Sequence, residues 1–344
     1  MAAQGQGTSL KAYVLTRLAL VVPMVFILLT MVFLLMRVAP GDPVSASLGG
    51  HVPRSVVNHI RHQLGFDKPL TTQYGQYLWG IVRGDFGTTI TDRRKVRDII
   101  AVNGAATLEL TAAAMIVAVF VGVLVGLVAG RFRDTPIDVG GRLFGIVIYA
   151  MPVFFLGFLA QLVFGIWLHV LPTSDQASPI VDATIKTHTN IYLLDTAIDG
   201  NWSAFWDVFK HLILPATTLG LVIGGIFIRL VRVNVIRTLK DDYIEAARAR
   251  GIPERAVVYR HAFRNALVPV ITVVGLQLAL LLSGAVLTET TFNWPGIGQE
   301  LIHYLQNRDY PAVQGIIVVF ALAVVVVSVL IDFVNAFIDP RIRY

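Results

Sequence analysis

The sequence predicts an all-α polytopic membrane protein with six transmembrane helices, on three observations. It is 55% hydrophobic and only 15% charged, whereas a soluble domain carries about 25% charged residues. The charges occur in blocks separated by long uncharged runs. Six runs have the ~20 residues that a helix needs to cross a hydrocarbon core of ~30 Å. These runs are 18–36, 110–130, 143–168, 212–228, 265–288 and 310–331.

The first run has two possible interpretations, a cleaved signal peptide or a retained span. Lys11 and Arg17 precede it like a basic n-region. The run is longer than a usual h-region, and Met36 to Pro40 contains no small-x-small cleavage site. We therefore expect a retained first span.

Basic residues in the short loops predict the orientation, because such residues accumulate on the cytoplasmic side. Twelve Lys or Arg lie in the loops after spans 2 and 4, against three in the loops after spans 3 and 5. This places both termini in the cytoplasm of a bacterial cell, beneath its inner membrane. The predicted regions are an N-terminus with span 1 (1–37), an extracytoplasmic loop (38–104) and a core (105–344). The core includes an extracytoplasmic insertion (169–211) and a cytoplasmic loop (229–264).

The first outer loop has two stretches of helical spacing, one begun by Pro53 and stopped at Gly65, the other stopped at Gly84. Basic residues from Arg93 to Arg97 flank Val96, Ile99 and Ile100, which predicts an amphipathic stretch at the headgroups before span 2.

The insertion has five aspartates and two lysines. Its histidines, His169, His188 and His211, lack the close spacing of metal ligands, so we expect solvated loop histidines and no metal site.

The cytoplasmic loop has the pattern of two short helices joined at a glycine. Asp241 or Asp242 can cap the first helix, and Glu245 in its first turn and Arg248 in its last suit the helix dipole. Gly251 predicts a stop, and Pro253 begins a second helix that runs towards span 5. The alanines after Glu245 make the first helix slim. It is either an ordinary solvated helix or one that enters a partner's groove.

A family resemblance favours the groove. Glu245-Ala246-Ala247, followed after three residues by Gly251, resembles the EAA motif of ABC importer permeases. Four further blocks resemble the dipeptide and oligopeptide permeases of that class, which have the type I importer fold: 64–74 with 83–87, 259–269, 292–298 with 307–311, and 339–341. In the second block, His261-Ala262-Phe263 stands where the general EAA motif has its I-x-L-P ending.

The resemblance implies roles for particular residues. An ATPase-coupling site would comprise Asp242, Tyr243, Glu245, Ala246, Ala247, Arg248, Gly251 and Pro253. An outer mouth, in contact with a binding protein, would comprise Trp294, Pro295, Gly296, Arg308 and Asp309.

The resemblance also implies partners: a second homologous permease, two ATPase subunits and an extracytoplasmic substrate-binding protein. The sequence has no P-loop, so ATP and Mg would be bound by the ATPases and this chain would hold no cofactor. Peptides are the expected cargo, and nickel, glutathione or another small solute is the alternative.

Polar residues within the predicted spans are candidates for the translocation path: Gln161, Gln277 and Ser283. The two glutamines could instead bond to neighbouring helices. Gly122, Gly126 and Gly130 form a small-xxx-small face that predicts close helix packing. The predicted spans have no carboxylate at a midplane, which disfavours an ion-coupled carrier.

Two other classes of membrane protein are alternatives to a permease. An intramembrane serine protease could use Ser283, but His261 and His303 lie outside the spans on opposite sides, so no general base is in reach and no catalytic residue is expected. A passive channel stays open as an alternative.

Overall fold

The computed structural model describes residues 10–38, 43–47 and 52–338, and this part of the chain is almost entirely helical. The predicted block 339–341 lies outside the described residues. The α-helices in chain order are α1 Leu10–Val38, α2 Pro43–Ser47, α3 Arg54–Gln63, α4 Leu70–Val82, α5 Val96–Arg131, α6 Pro136–Ala150, α7 Val153–Ala160, α8 Pro179–Asp182, α9 Tyr192–Ile198, α10 Trp202–Thr238, α11 Asp242–Ala249, α12 Glu254–Ala256, α13 Phe263–Ala266, α14 Val268–Gly284, α15 Val286–Thr291, α16 Ile297–Gln306 and α17 Tyr310–Ile338. Two π-helical segments, Gln161–Trp167 and Val257–Ala262, follow α7 and α12.

Four helices within the described ranges are long and apolar enough to cross a membrane, namely α1, α5, α10 and α17. Two bent helix pairs pass the same test, α6 with α7 and its π-helical extension, and 254–266 with α14. Counting each bent pair as one crossing gives the predicted six spans.

The third span, predicted as one helix over 143–168, is sharply bent. Its two halves meet at an angle of 104°. Pro152 stands between them as the residue before α7, with Met151 in extended backbone. Proline cannot donate the backbone hydrogen bond that would continue α6, so the chain turns here.

The fifth span is also broken, whereas one helix was predicted over 265–288. The chain bends by 49° before Pro269. A second break at Ala285 separates α14 from α15. Proline at the start of α14 again accounts for the first break.

The centre of the fold is the pair α5 and α10, joined through the three glycines of α5. A Cβ at Gly126 would lie 2.8 Å from the carbonyl oxygen of Ile228, and one at Gly130 would lie 3.0 Å from Val235 Cβ. A Cβ at Gly122 would overlap Phe227. The prediction of close helix packing by this face is confirmed.

Four helices, α1, α5, α10 and α17, extend beyond the predicted runs, and the extensions of α5 and α10 correct two predictions. Helix α5 begins at Val96, and both Val96 and Ile99 are fully buried against α16 and α17. The predicted headgroup stretch is therefore wrong, because these side chains pack inside the protein. Helix α10 begins at Trp202 and contains His211, which is buried and bonds to the Asp207 carbonyl oxygen, so this histidine is not the solvated loop residue that was predicted.

Candidate functional site

The elbow, residues 241–262, lies directly after α10 and consists of α11, a turn, α12 and a π-helical segment. Asp241 is the residue before α11, although its side chain makes no capping hydrogen bond. Gly251 adopts φ +75° in the turn, a left-handed conformation that glycine adopts without steric cost. The helix–glycine–helix order predicted from the sequence is confirmed.

The interior of the elbow is a small apolar cluster. Ile244, Val257 and Ala262 are fully buried, and Ala247 joins them. This places Ala247, a residue of the predicted coupling site, inside the elbow and not on its outward surface. Ala247 instead lets α11 approach the second half of the elbow closely.

An ion pair closes the elbow across the turn. Arg248 Nη2 and Nε donate to the two carboxylate oxygens of Glu254, at 2.8 and 3.0 Å. The hydrogen bond to Glu254 raises the pKa of the Arg248 guanidinium. Both side chains are about half exposed, at 41% and 54%, so water screens the pair.

The outward side of the elbow is accessible. Asp242, Tyr243, Glu245 and Ala246 are exposed, as is Pro253 beyond the turn. Asn265 Nδ2 donates to the Tyr243 hydroxyl at 2.8 Å, which ties α11 to the base of the fifth span. The elbow therefore presents an aromatic ring, a carboxylate and a small alanine together.

A buried ion pair lies where the elbow's supporting helix α10 meets α6. Arg232 Nε and Nη2 donate to the Asp138 carboxylate at 2.5 and 2.8 Å, and Asp138 is fully buried. Sequence reasoning missed this pair. An acidic residue at the start of α6 and an arginine in a basic loop were the only signals.

The second predicted site is the cap, residues 289–299, which packs on α5. Trp294 is fully buried and its Nε1 donates to the Ala106 carbonyl oxygen at 2.9 Å. Asn103 Nδ2 donates to the Pro295 carbonyl oxygen at 2.9 Å. The cap therefore covers one end of α5.

Burial corrects the contact role predicted for two residues near the cap. Trp294 and Asp309 have no exposed surface in this chain, so neither side chain can touch a binding protein. Asp309 accepts hydrogen bonds from the backbone N–H groups of Ile90 and Thr91, at 2.6 and 2.8 Å. Arg308 is exposed, Pro295 is partly exposed and Gly296 is buried.

Glu289 is the residue of the cap that sequence reasoning missed. Its carboxylate is fully buried and accepts hydrogen bonds from Thr107 Oγ1 at 2.7 Å and the Gln299 backbone N–H at 2.9 Å. Thr107 Oγ1 also accepts the Ile297 N–H at 2.9 Å. Glu289 thus satisfies a backbone donor in the first turn of α16 and joins that helix to α5.

The predicted path residues have different environments. Gln161 Nε2 donates to the carbonyl oxygens of Thr173 and Thr291, at 2.7 and 3.0 Å. Gln161 therefore bonds to neighbouring segments of the protein, which was the alternative to lining the translocation path. Gln277 is half-buried on α14. Ser283 belongs to α14, but its side chain lies outside the described residues.

Comparison with known proteins identifies the class. Residues 122–344 match the family described as binding-protein-dependent transport system inner membrane component, and residues 10–111 match the N-terminal region described for such membrane components. The chain therefore belongs to the family of inner membrane components of binding-protein-dependent transport systems. It is a multi-pass permease subunit of the inner membrane, with the type I importer fold.

Individual relatives align over nearly their whole length. The dipeptide transport system permease protein DppB of Alkalihalophilus pseudofirmus is 37% identical over 97% of this chain and 99% of its own. The di/tripeptide transport system permease protein of Pseudomonas aeruginosa is 38% identical over 97% and 99%. The glutathione transport system permease protein GsiC of Salmonella choleraesuis is 35% identical over 96% and 99%.

Proposed function

We propose that this chain is one of two permease subunits of an ATP-driven importer of dipeptides and oligopeptides. The names of the dipeptide and di/tripeptide permeases above support this cargo. Glutathione, the cargo named for a further relative, is itself a small peptide. A second permease, two ATPase subunits that bind ATP and Mg, and an extracytoplasmic binding protein would complete the transporter.

The elbow would receive the movement of the ATPase. The observation that supports this is its outward side, where Tyr243, Glu245 and Ala246 are exposed on a helix whose opposite side is buried in its own cluster. A slim, exposed helix can enter a groove. Packing at its back transmits the displacement to Leu239, just after α10, and to the π-helical segment 257–262, which leads into the fifth span. Arg248 and Gly251 would maintain the angle of the elbow rather than touch the partner.

Orientation follows from the same assignment. The elbow and both termini would lie in the cytoplasm, and the insertion and the cap on the outer side. Reporter fusions after Asp195 and after Lys240 are expected on opposite sides of the membrane. Fusions reporting the same side would refute the topology.

The test of the coupling role is Ala246→Trp, with Ala183→Trp as its matched control. Both alanines are exposed, but Ala183 lies in the insertion, far along the chain from the elbow. Ala246→Trp should abolish uptake of a labelled dipeptide and peptide-stimulated ATP hydrolysis while the protein stays inserted. Ala183→Trp should leave both near the wild-type level. Equal uptake by the two variants would contradict the proposal.

A passive channel is the competing class. It predicts dipeptide flux into vesicles containing this chain without ATPase subunits. The importer predicts flux only when ATPases and ATP are present. Flux without them would overturn the importer and leave the fold assignment intact.

A further inference from the structure

We propose that the cavity between α1, α4 and α17 binds the phosphodiester of one phospholipid headgroup, with Arg37 as its ligand. The cavity has a volume of about 210 Å³, and its walls include Arg37, Phe66, Tyr77, Asp85 and Gln314. This site lies apart from the elbow and the cap and is independent of the proposed cargo.

The position of the cavity brings it to the membrane–water interface. Arg37 ends the apolar stretch of α1, and Gln314 lies one turn into α17. Helix α4 lies against α1, since the hydroxyls of Tyr74 and Thr30 are 2.6 Å apart and the Tyr77 hydroxyl donates to the Leu29 carbonyl oxygen at 3.2 Å. A cavity at the ends of two spans is at the depth of lipid headgroups.

Within the described residues, the guanidinium of Arg37 is held in place by aromatic rings and an amide oxygen and has no counter-ion. It stacks on Phe33 and Phe66, with Cζ at 5.0 and 4.6 Å from the two ring centroids. Its Nε donates to Gln73 Oε1 at 2.9 Å. Within the described part of the chain, no carboxylate pairs with it, which leaves its Nη donors for an oxyanion. A planar guanidinium fork matches the oxygens of a phosphate.

A negative charge in the lining of the cavity selects among phosphates. Asp85 also lines the cavity and is exposed, with Oδ1 accepting the Gly87 N–H at 3.0 Å. A carboxylate there repels free inorganic phosphate, which carries more than one negative charge near neutral pH. A phosphodiester carries a single negative charge, and an ethanolamine headgroup adds an ammonium that Asp85 attracts.

Exposed apolar side chains that could contact the acyl chains are present on α4, one of the helices that line the cavity. Leu70, Trp79 and Val82 of α4 are all exposed. A lipid whose phosphate enters the cavity can contact exposed apolar side chains of α4 with its acyl chains. We therefore infer phosphatidylethanolamine, bound by phosphate at Arg37 and by amine at Asp85.

The test measures binding of phosphatidylethanolamine to the full-length chain, purified with the subunits that accompany it. The purified protein is delipidated and then titrated with this lipid, and native mass spectrometry counts the bound lipid molecules. Arg37→Gln is the test variant. Arg83→Gln is its matched control, because Arg83 also stacks on an aromatic ring, that of Trp79 at 4.5 Å, but does not line the cavity. Wild type and Arg83→Gln should retain one lipid, and Arg37→Gln should bind it at least tenfold more weakly. Equal retention by Arg37→Gln and wild type would overturn the proposal.

Three further arms keep the result decisive. Phe66→Leu removes a ring that stacks on Arg37 but leaves the charge of Arg37 in place. This variant should bind the lipid more weakly, and it provides a test even if Arg37→Gln fails to assemble. Full lipid binding by Phe66→Leu would overturn the role given to stacking on Phe66. Asp85→Asn should abolish the preference for phosphatidylethanolamine over phosphatidylglycerol, and an unchanged preference overturns the amine contact. Displacement of the lipid by millimolar inorganic phosphate would show a free-phosphate site instead and overturn the lipid assignment.

Discussion

The elbow and the cap are both short segments that pack against longer helices. The elbow is held by an exposed interaction, whereas the cap is held by a buried one. The elbow is closed by the exposed pair of Arg248 and Glu254. The cap is held by the Glu289 carboxylate, which is fully buried and bonded to Thr107 and to backbone N–H groups. The hydrogen bonds of the two regions have similar lengths, but those of the elbow are exposed to water and those of Glu289 are buried.

The difference teaches where this fold resists movement. Breaking an exposed ion pair costs little, because water replaces each partner. Removing a buried carboxylate such as that of Glu289 leaves its hydrogen-bond donors unpaired in a medium of low dielectric constant, which costs much more. The cap is therefore the rigid region, and the elbow is the region that can tilt at modest cost, as the proposed coupling role requires.

Removing the carboxylate of the cap should have the largest effect. In Glu289→Ala, Thr107 and the Gln299 N–H lose their acceptor inside the protein. We expect about 3 kcal/mol of lost stability, seen as a lower midpoint of thermal unfolding for the purified protein. Glu300→Ala, which removes a carboxylate paired with Arg94 at 3.4 Å near the surface, is the control and should cost under about 1 kcal/mol. Equal shifts would show that the cap is not held by Glu289.

Two glycines sharpen the comparison, because each is required for a different reason. Gly296 has ordinary backbone angles, but a Cβ there would overlap the Glu289 carboxylate. Gly251 has open space around it but a φ of +75°. We expect Gly296→Ala to cost about 3 kcal/mol through overpacking, and Gly251→Ala about 1 kcal/mol through backbone strain.

Asparagine separates the two causes in the same unfolding experiment. Asn tolerates the left-handed conformation better than alanine, so Gly251→Asn should be less harmful than Gly251→Ala. At Gly296 the larger asparagine should be more harmful than alanine. The reverse order at either position would refute the reason given for it.

Loss of the elbow's ion pair should have the smallest effect on stability. Arg248→Ala is expected to cost under about 1 kcal/mol, and 1 M salt should remove most of the difference from wild type. Arg250→Ala is the control, since Arg250 is exposed and has no ion pair within the described residues. A loss well above that of the control at high salt would mean that Arg248 acts through packing.

Local signals account for the parts that the sequence predicted well. Gly251 and Pro253 mark the turn of the elbow, and the spacing of Gly122, Gly126 and Gly130 identifies the packing face of α5. Uncharged length located six spans, because the hydrocarbon thickness sets a minimum number of apolar residues. It did not reveal the breaks at Pro152 and Pro269, since an apolar run has the same composition whether straight or bent.

Pairings across the chain explain what was missed. Arg232 and Asp138 are 94 positions apart, and Glu289 and Thr107 are 182 apart. Each residue taken alone is an ordinary charged or polar residue near a predicted helix end. Their partners become apparent only when α6, α10 and the cap are packed against one another.

By itself, the sequence determined the membrane class, the positions of the apolar segments and the helix–glycine–helix elbow, because hydrophobic length and backbone stereochemistry are local properties. Only the tertiary structure decided which residues of the two sites are available. It buried Trp294 and Asp309, which the resemblance had placed in contact with a binding protein. It also buried Ala247 inside the elbow and exposed Tyr243 and Ala246. Burial depends on what packs over a residue, and that is decided by distant parts of the chain.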